Sequence, residues 1–178
     1  EDAALYDTVK VVAMELCPAL GIGVPVGKDS LSMRMRWDHD GKSRQVTAPV
    51  SLIVTAFATL DDVRGTLTPQ LQPVDSTLIL VDLGAGRMRM GGSMLAQCLS
   101  RFGDVVPDLD DAQALKSLVA AVNELRTAGR LLAYHDRSDG GLWACVCEMA
   151  FAGQLGVSLN VDLLVTESDG IADSRAEY

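Results

Sequence analysis

The sequence predicts a layered protein of the α/β or α+β class. From residue 77 onward, apolar strand-like runs alternate with helical patterns in the order β-α-α-β-α-β, which is typical of layered mixed domains. A helical pattern and two strand-like runs precede them. Hydrophobic residues make up 48% of the 178 residues and charged residues 22%. The chain therefore has enough apolar side chains for one large core or two small ones.

The first part of the chain predicts a helix followed by two paired strands. Residues 2–16 place apolar side chains at helical spacing, and Pro18 follows as a stop signal. The stretch 31-LSMRMRW-37 alternates apolar and polar residues, as a half-buried strand does. After the turn 38-DHDG-41, the β-branched and apolar run 46–60 predicts a partner strand.

Glycine and prolines mark residues 61–76 as a candidate linker. Asp110 or Asp111 is expected to cap a long helix that runs to about Ala128, and Gly129 to end it. The other elements predicted after the linker are strands at 77–83, 130–134 and 157–161 and helices at 94–102 and 141–152.

Charge and hydropathy exclude several classes of partner. The net charge is −9 and no basic patch is visible, which argues against a nucleic-acid partner. No signal-peptide pattern opens the chain, and no apolar run approaches the ~20 residues of a membrane span. The cysteines lie in apolar helical patterns without zinc-site spacing, so we expect buried thiols and a reducing cytoplasmic location, away from membranes. They are Cys17, Cys98, Cys145 and Cys147.

The loop 25-PVGKDSLSM-33 is the first candidate for ligand chemistry. Lys28 supplies a positive charge, Asp29 a carboxylate, and Ser30 and Ser32 hydroxyls. Together these groups are suited to a phosphate or a metal-phosphate. The loop lacks the glycine spacing and the Lys-Ser/Thr pair of a P-loop. A structural turn and a ligand loop both fit the residues.

The loop 84-GAGRMRMGGS-93 is the second candidate. Strand, glycines and helix in succession suggest a phosphate at a helix N-terminus. The spacing fails the dinucleotide fingerprint, so a tight strand-to-helix turn is the favoured interpretation. Arg87 and Arg89 fit either anion ligands or solvated loop residues.

The third candidate is 134-YHDRSDGGLW-143, a polar cluster between two apolar runs. Asp136 and Asp139 follow a predicted strand, where ligand sites of open α/β sheets gather, and Mg²⁺ prefers such carboxylate oxygens. Alternatively, Ser138 or Asp139 caps the next helix, and His135 is a buried, hydrogen-bonded imidazole. The residues alone leave the metal-phosphate site and the helix start equally open.

Seven stretches, in this order, resemble the large, single-chain phosphoribosylformylglycinamidine synthases, also called formylglycinamide ribonucleotide amidotransferases. They are EDAALYDTVK, MELCPALGI, PVGKDSLSM, VRGTLTPQL, GGSMLAQ, AYHDRSDGGL and EMAFAG. The resemblance covers nearly the whole chain. It implies a fold similar to aminoimidazole ribonucleotide synthetase in the second of two synthetase halves. Residues 1–68 would end an N-terminal-type α/β domain, and residues 69–178 would form most of a C-terminal-type domain.

The resemblance also implies an activity in de novo purine biosynthesis. Members of this family are ATP-dependent ligases that convert formylglycinamide ribonucleotide and glutamine to formylglycinamidine ribonucleotide. The implied cofactors are ATP or ADP and Mg²⁺. The implied partners are small-molecule nucleotide substrates and the remaining domains of the same polypeptide, namely the first synthetase half and a glutaminase domain.

Carried over to this sequence, the resemblance implies a Mg²⁺ ligand at Asp136 and a nucleotide contact at Ser138, in an auxiliary and structural nucleotide site. Lys28 and Asp29 are implied to line a substrate pocket. Asp139 and the two glycines after it would start the helix, and no catalytic residue is assigned. The remaining metal ligands are expected upstream of Glu1, and none of the four cysteines is expected to be the glutaminase nucleophile.

Both ends of the sequence suggest a piece of a longer protein. Glu1 stands one residue before a helix pattern, and 166-TESDGIADSRAEY-178 closes no structural element. We therefore expect this piece to be inactive by itself. Two alternatives stay open: a non-catalytic nucleotide-binding or scaffold module, and a related synthetase that acts on another substrate.

Overall fold

The structure is a computed structural model, and it describes residues 2–31, 33–165 and 176–177. The chain divides into two compact units, Glu1–Asp61 and Asp62–Tyr178. The boundary between the units, after Asp61, falls at the start of the segment predicted to be a linker. Helices and strands both occur, so the prediction of a mixed helix and strand class is confirmed. The assignment of residues 1–68 and 69–178 to two domain types stays a prediction.

The first unit begins with a long helical stretch, as the apolar spacing predicts. Helix α1 (Asp2–Val11) continues through a π-helical segment (Val12–Leu16) into α2 (Cys17–Leu20). Pro18 was predicted to stop the helix, and this is wrong, because it lies in the first turn of α2, where a missing N–H is tolerated. The stretch ends at Gly21, which has a left-handed φ of 76°.

A β-hairpin follows, in which β1 (Arg34–His39) pairs antiparallel with β2 (Lys42–Thr47). The turn consists of Asp40 and Gly41, with φ of 52° and 68°, as in the two-residue turns that suit the twist of a hairpin. It is shorter than the predicted turn at 38–41. The long strand predicted at 46–60 is also wrong, because the second strand begins earlier and ends at Thr47, two residues before a proline that cannot donate to a ladder.

The second unit contains the two longest α-helices of the described residues. Asp111 caps α4 (Ala112–Thr127), because its Oδ1 accepts from the Gln113 N–H at 2.7 Å. Gly129 follows the helix with φ of 66°, so the predicted end is confirmed. Ala128 is the residue that closes the helix. Asp111, and not its neighbour Asp110, is thus the cap.

The other helices of the second unit are shorter. Ser93 caps α3 (Met94–Cys98), with its Oγ accepting from the Ala96 N–H at 3.1 Å. The predicted extension to residue 102 is wrong, because Ser100 takes a left-handed φ of 56°. A short α6 spans Asp162–Val165. None of the described helices is long and apolar enough to cross a membrane.

Helix α5 (Gly141–Gly153) carries most of the small core. Cys145, Val146 and Met149 are buried on it, three and four residues apart as one helical face requires. Gly140 precedes it with φ of 86°, and no side chain caps the helix. The predictions of a Ser138 or Asp139 cap are therefore wrong. The Ser138 carbonyl instead accepts from the Gly141 N–H at 3.0 Å, so a backbone turn starts the helix.

The predicted strands of the second unit are absent from its described residues. The runs at 77–83, 130–134 and 157–161 have no ladder partner there. An apolar run supplies side chains for burial, but a strand also needs a neighbour to pair its N–H and C=O groups. The described ladder of this unit joins β3 (Met88–Arg89) to β4 (Ala176–Glu177) in parallel.

The Asp111 cap can be tested by substitution. Asp111→Ala leaves the Gln113 N–H without its acceptor, so we expect a loss of about 1 kcal/mol in the free energy of unfolding. Asp111→Ser retains an acceptor oxygen and should stay close to the wild type. Urea unfolding of the chain, followed by circular dichroism, measures both. An equal loss in the two variants would show that the carboxylate acts through something other than the cap.

Candidate functional site

The polar motif at residues 135–139 follows a segment whose burial alternates. Residues 131, 133 and 135 are partly buried, and residues 132, 134 and 136 are exposed. Such alternation is the pattern of an extended segment with one inward face. The Tyr134 N–H donates to the Thr68 carbonyl at 3.0 Å and fixes the backbone just ahead of the motif. The segment therefore delivers His135 inward and Asp136 outward.

His135 is anchored to helix α5. Its Nε2 lies 2.6 Å from Oε2 of Glu148, and its Nδ1 lies 3.9 Å from Oδ1 of Asp136. The His135 side chain is 18% exposed and the Glu148 side chain 59% exposed. The structure thus supports the interpretation of His135 as a hydrogen-bonded imidazole, and it names the partner. A short carboxylate contact on one ring nitrogen also fixes the orientation of the ring.

Arg137 is anchored to the glycine-rich loop. Its Nη2 donates to Oδ1 of Asp82 at 3.1 Å. The same carboxylate accepts from the Gly84 N–H at 3.1 Å and from the Gly86 N–H at 3.0 Å. Asp82 therefore joins two of the three loops that the sequence singled out, the one at 84–93 and the one at 134–143.

The environment of Asp82 favours its charged form. Partial burial raises the pKa of this carboxyl, but the hydrogen bonds from Gly86 and Gly84 and the bond and charge of Arg137 outweigh it, so the net pKa is lowered. A carboxylate that stays ionised at neutral pH keeps all three donors satisfied. The loop junction is therefore maintained at any pH well above the ordinary aspartate value.

Asp136 and Ser138 alternate with these two anchored residues along the chain. Both are exposed, and the Asp136 side chain is 80% exposed. Their predicted roles as metal ligand and nucleotide contact stay predictions. The structure nevertheless holds them in one loop, between anchors on either side of Asp136.

The donor set fits one mode of Mg²⁺ binding. Among the described residues, no group of three or more His, Cys, Asp and Glu side chains could hold a metal ion. Mg²⁺ commonly uses one or two carboxylates together with phosphate oxygens and water, and does not need an all-protein cage. The single outward carboxylate of Asp136 fits this mode.

Arg89 in the glycine-rich loop is not a solvated residue. Its side chain is 5% exposed and forms an ion pair with Asp110, and its Nη1 donates to the Asp108 carbonyl at 3.3 Å. It lines a hollow of about 270 Å³ together with Arg87. The loop is also tightly packed, because a Cβ on Gly91 would lie 2.6 Å from the Val105 carbonyl oxygen. These contacts support the interpretation of a tight turn.

The thiol of Cys145 is not activated as a nucleophile. Cys145 is buried, and burial first, then the charges of Glu148 and Asp136, raise the pKa of its thiol. Cys98 is exposed, and Cys17 and Cys147 are partly buried. The prediction of buried thiols is thus correct for Cys145 and wrong for Cys98, because helix α3 ends there and leaves that residue uncovered.

Lys28 and Asp29 lie in a loop of the first unit, and both are exposed. Nζ of Lys28 contacts the Ser30 hydroxyl. Asp29 lines a hollow of about 310 Å³ against helix α1. The prediction for Ser32 falls outside the described residues. The substrate-pocket role of Lys28 and Asp29 stays a prediction.

The sequence interpretation missed Asp82 and Glu148, although both carry a signal. Asp82 interrupts an apolar run just before the glycine-rich loop. Glu148 is the one charged residue of helix α5, whose sequence is GLWACVCEMAFAG. A lone charge in an apolar helix indicates a specific partner. The sequence could not show that the partner of Glu148 is His135.

The pH dependence of the Asp82 contribution is testable. A lowered pKa in the folded state means that Asp82 stabilises the fold above 3.8, the ordinary aspartate value, and that this contribution disappears as the pH falls through the folded value. Asp82→Asn should therefore cost stability at pH 7, by less than about 1 kcal/mol because the pair is partly exposed. The deficit should shrink near pH 3. Urea unfolding at both pH values measures it, with the exposed Asp75→Asn as the matched control. A deficit that is constant with pH would contradict the linkage.

Two family models match the chain in succession. Residues 1–59 match the FGAR-AT PurM_N-like domain, and residues 74–176, more than half of the chain, match the C-terminal domain of AIR synthase related proteins. The order agrees with the resemblance of the seven sequence stretches, which is thereby confirmed. Such domains indicate an ATP-dependent, ligase-type enzyme family. The chain belongs to the AIR synthase related family of purine-biosynthesis-type synthetases, as an FGAR amidotransferase or a related member.

Proposed function

We propose that this chain supplies one wall of a Mg²⁺–nucleotide site in phosphoribosylformylglycinamidine synthase. The observation that carries the proposal is the outward presentation of Asp136 and Ser138 by a loop anchored through His135 and Arg137. The succession of an FGAR-AT-type and an AIR-synthase-type domain supports the choice of enzyme.

The proposed reaction joins ammonia to an amide carbon at the expense of ATP. The amide oxygen of formylglycinamide ribonucleotide takes the γ-phosphoryl group, and ADP leaves. Ammonia released from glutamine then attacks the imidate carbon, and the C–O bond to the departing phosphate breaks. The products are formylglycinamidine ribonucleotide, glutamate, ADP and phosphate. Each step concentrates negative charge on phosphate oxygens, which a divalent cation neutralises.

Asp136 and Ser138 have distinct roles in this proposal. The Asp136 carboxylate offers a hard oxygen ligand, and the nucleotide phosphates and other carboxylates complete the shell of Mg²⁺. The Ser138 hydroxyl offers a donor to a nucleotide oxygen. At an auxiliary site, the bound ADP or ATP acts as a structural element and stabilises the folded state by mass action.

Lys28 and Asp29 are proposed to contact the substrate. The Lys28 ammonium is a positive charge on an exposed loop, suited to a phosphate of a ribonucleotide. Asp29 lines the hollow next to helix α1 and offers an acceptor to hydroxyl or amide donors.

The proposal requires partners in the same polypeptide. The first synthetase half and a glutaminase domain would complete the enzyme, which would act in the cytoplasm on small nucleotides. The nucleophile that releases ammonia belongs to that glutaminase domain. The raised pKa of the Cys145 thiol is consistent with leaving the cysteines of this chain out of that role.

A non-catalytic nucleotide-binding or scaffold module is the second candidate. It would use the same exposed Asp136 and Ser138 side chains without a chemical step. The two candidates differ in whether the full-length protein converts formylglycinamide ribonucleotide or only binds nucleotide. If the chain instead belongs to a related synthetase, the Asp136 site would have the same role, and a different substrate would bind at the Lys28 loop.

Asp136→Ala tests the metal role in the full-length protein. Loss of a carboxylate ligand should lower Mg²⁺-dependent ADP affinity by about 10-fold or more, on the scale of metal-ligand losses. Isothermal titration with Mg·ADP and measurement of co-purified nucleotide give the readout. Asp75→Ala removes an exposed aspartate of the same unit and should leave affinity unchanged. Wild-type affinity for Mg·ADP in Asp136→Ala would contradict the role of Asp136 as a metal ligand.

The reaction itself is tested by substrate omission. With formylglycinamide ribonucleotide, ATP, Mg²⁺ and glutamine, the full-length protein should release ADP and glutamate in equal amounts. Omission of glutamine should stop both, and added ammonia should then restore ADP release without glutamate, because ammonia is the attacking nucleophile. ADP release that does not depend on glutamine or ammonia would point to a related synthetase. No ADP release with any of these substrates would point to a binding module.

A further inference from the structure

We propose that Glu148 and Asp82 are positioning residues, which hold His135 and Arg137 so that Asp136 and Ser138 are presented outward to the nucleotide. The inference rests on the proposed function of Asp136 and Ser138 and extends it to two residues that touch neither metal nor nucleotide. The contacts that carry it are a 2.6 Å contact from His135 to Glu148 and a 3.1 Å bond from Arg137 to Asp82.

The two anchors come from independent parts of the fold. Glu148 stands on α5, three residues from Cys145 and one from Met149 in the buried core. Its backbone is therefore set by helix packing. Asp82 stands before the glycine-rich loop, and its carboxylate is set by two backbone N–H groups. A loop tied at two alternate residues to two rigid supports has little freedom to rotate.

The burial of the segment and the two contacts determine which side chains are presented outward. The His135 side chain is 18% exposed and the Asp136 side chain 80% exposed. Residues 136–140 are all exposed, and among them Arg137, 41% exposed, is tied back by its bond to Asp82. Releasing either anchor allows the backbone to turn and misplace the Asp136 carboxylate, although no ligand atom has been removed.

Removal of a residue that orients a metal ligand measurably weakens ligand binding. Partners that orient metal ligands typically contribute 10–100-fold to affinity. We therefore expect Glu148→Ala to weaken Mg·ADP binding to the full-length protein by about 10-fold. Glu148→Gln should retain most of the affinity, because the amide oxygen still accepts from the imidazole N–H. Glu124→Ala, at an exposed glutamate on helix α4, is the matched control and should bind like the wild type.

The Asp82 anchor is tested in parallel. Asp82→Ala removes the acceptor of Arg137 and of the two backbone N–H groups, so Mg·ADP affinity should fall as it does for Glu148→Ala. Hydrogen exchange of the peptide that contains residues 134–141 should accelerate in both variants, while that of helix α4 stays unchanged. Acceleration throughout the second unit, with affinity lost only in proportion to unfolding, would overturn the positioning role.

A double-mutant cycle separates positioning from a general structural effect. If Glu148 acts through Asp136, then Glu148→Ala should cause no further loss of affinity once Asp136→Ala is present. A structural role would instead give additive losses, and that result overturns the inference. Weakened binding in Asp136→Ala with wild-type binding in Glu148→Ala and Asp82→Ala rejects the positioning and leaves the metal role intact. Unchanged binding in Asp136→Ala rejects both.

Discussion

The Asp82 carboxylate is the junction on which the second unit's loops depend. Two oxygens receive two backbone N–H groups and one guanidinium N–H, so one side chain shapes the glycine-rich turn and restrains the polar motif. Neutral groups could not do this equally well, because charge-assisted bonds are stronger and a carboxylate has lone pairs for several donors. Partial exposure keeps the cost of desolvating the charge low. The two loops are therefore joined through the charge and hydrogen bonds of one carboxylate.

Arg89, in the same glycine-rich loop, differs from Asp82 because its charge is almost fully removed from solvent. Its guanidinium is buried, which is costly, and the ion pair with Asp110 and the Asp108 carbonyl offset that cost. The Nε of Arg89 has no partner among the described residues, so the compensation is incomplete. Because removal of the Asp110 carboxylate would leave the buried charge of Arg89 without its ion pair, this pair holds the strand–turn segment to the chain ahead of α4. Asp110 thus pairs with Arg89 and Asp111 caps α4, whereas the sequence pattern offered the cap to either aspartate and did not predict the ion pair.

The sequence predicted helices well and strands poorly, for a physical reason. Helix α4 is specified locally, by Asp111 at one end, Gly129 at the other and apolar spacing between them. The run at 77–83 has strand composition, but its pairing depends on a distant partner that no local pattern encodes. The same division applies to the site. The motif 134–143 was visible as a polar cluster, whereas its anchors Glu148 and Asp82 lie 13 and 55 residues from their partners.

The position of Glu148 explains why one charge occurs in an otherwise apolar helix. The neighbouring face buries Cys145 and Met149, and an apolar residue at 148 would extend that core slightly. Such a residue could not accept from His135, and an imidazole 18% exposed would then lack its partner. The charge also raises the pKa of the Cys145 thiol, behind the larger effect of burial, and keeps that group protonated. One glutamate therefore favours both a fixed imidazole and a protonated, unreactive Cys145 thiol.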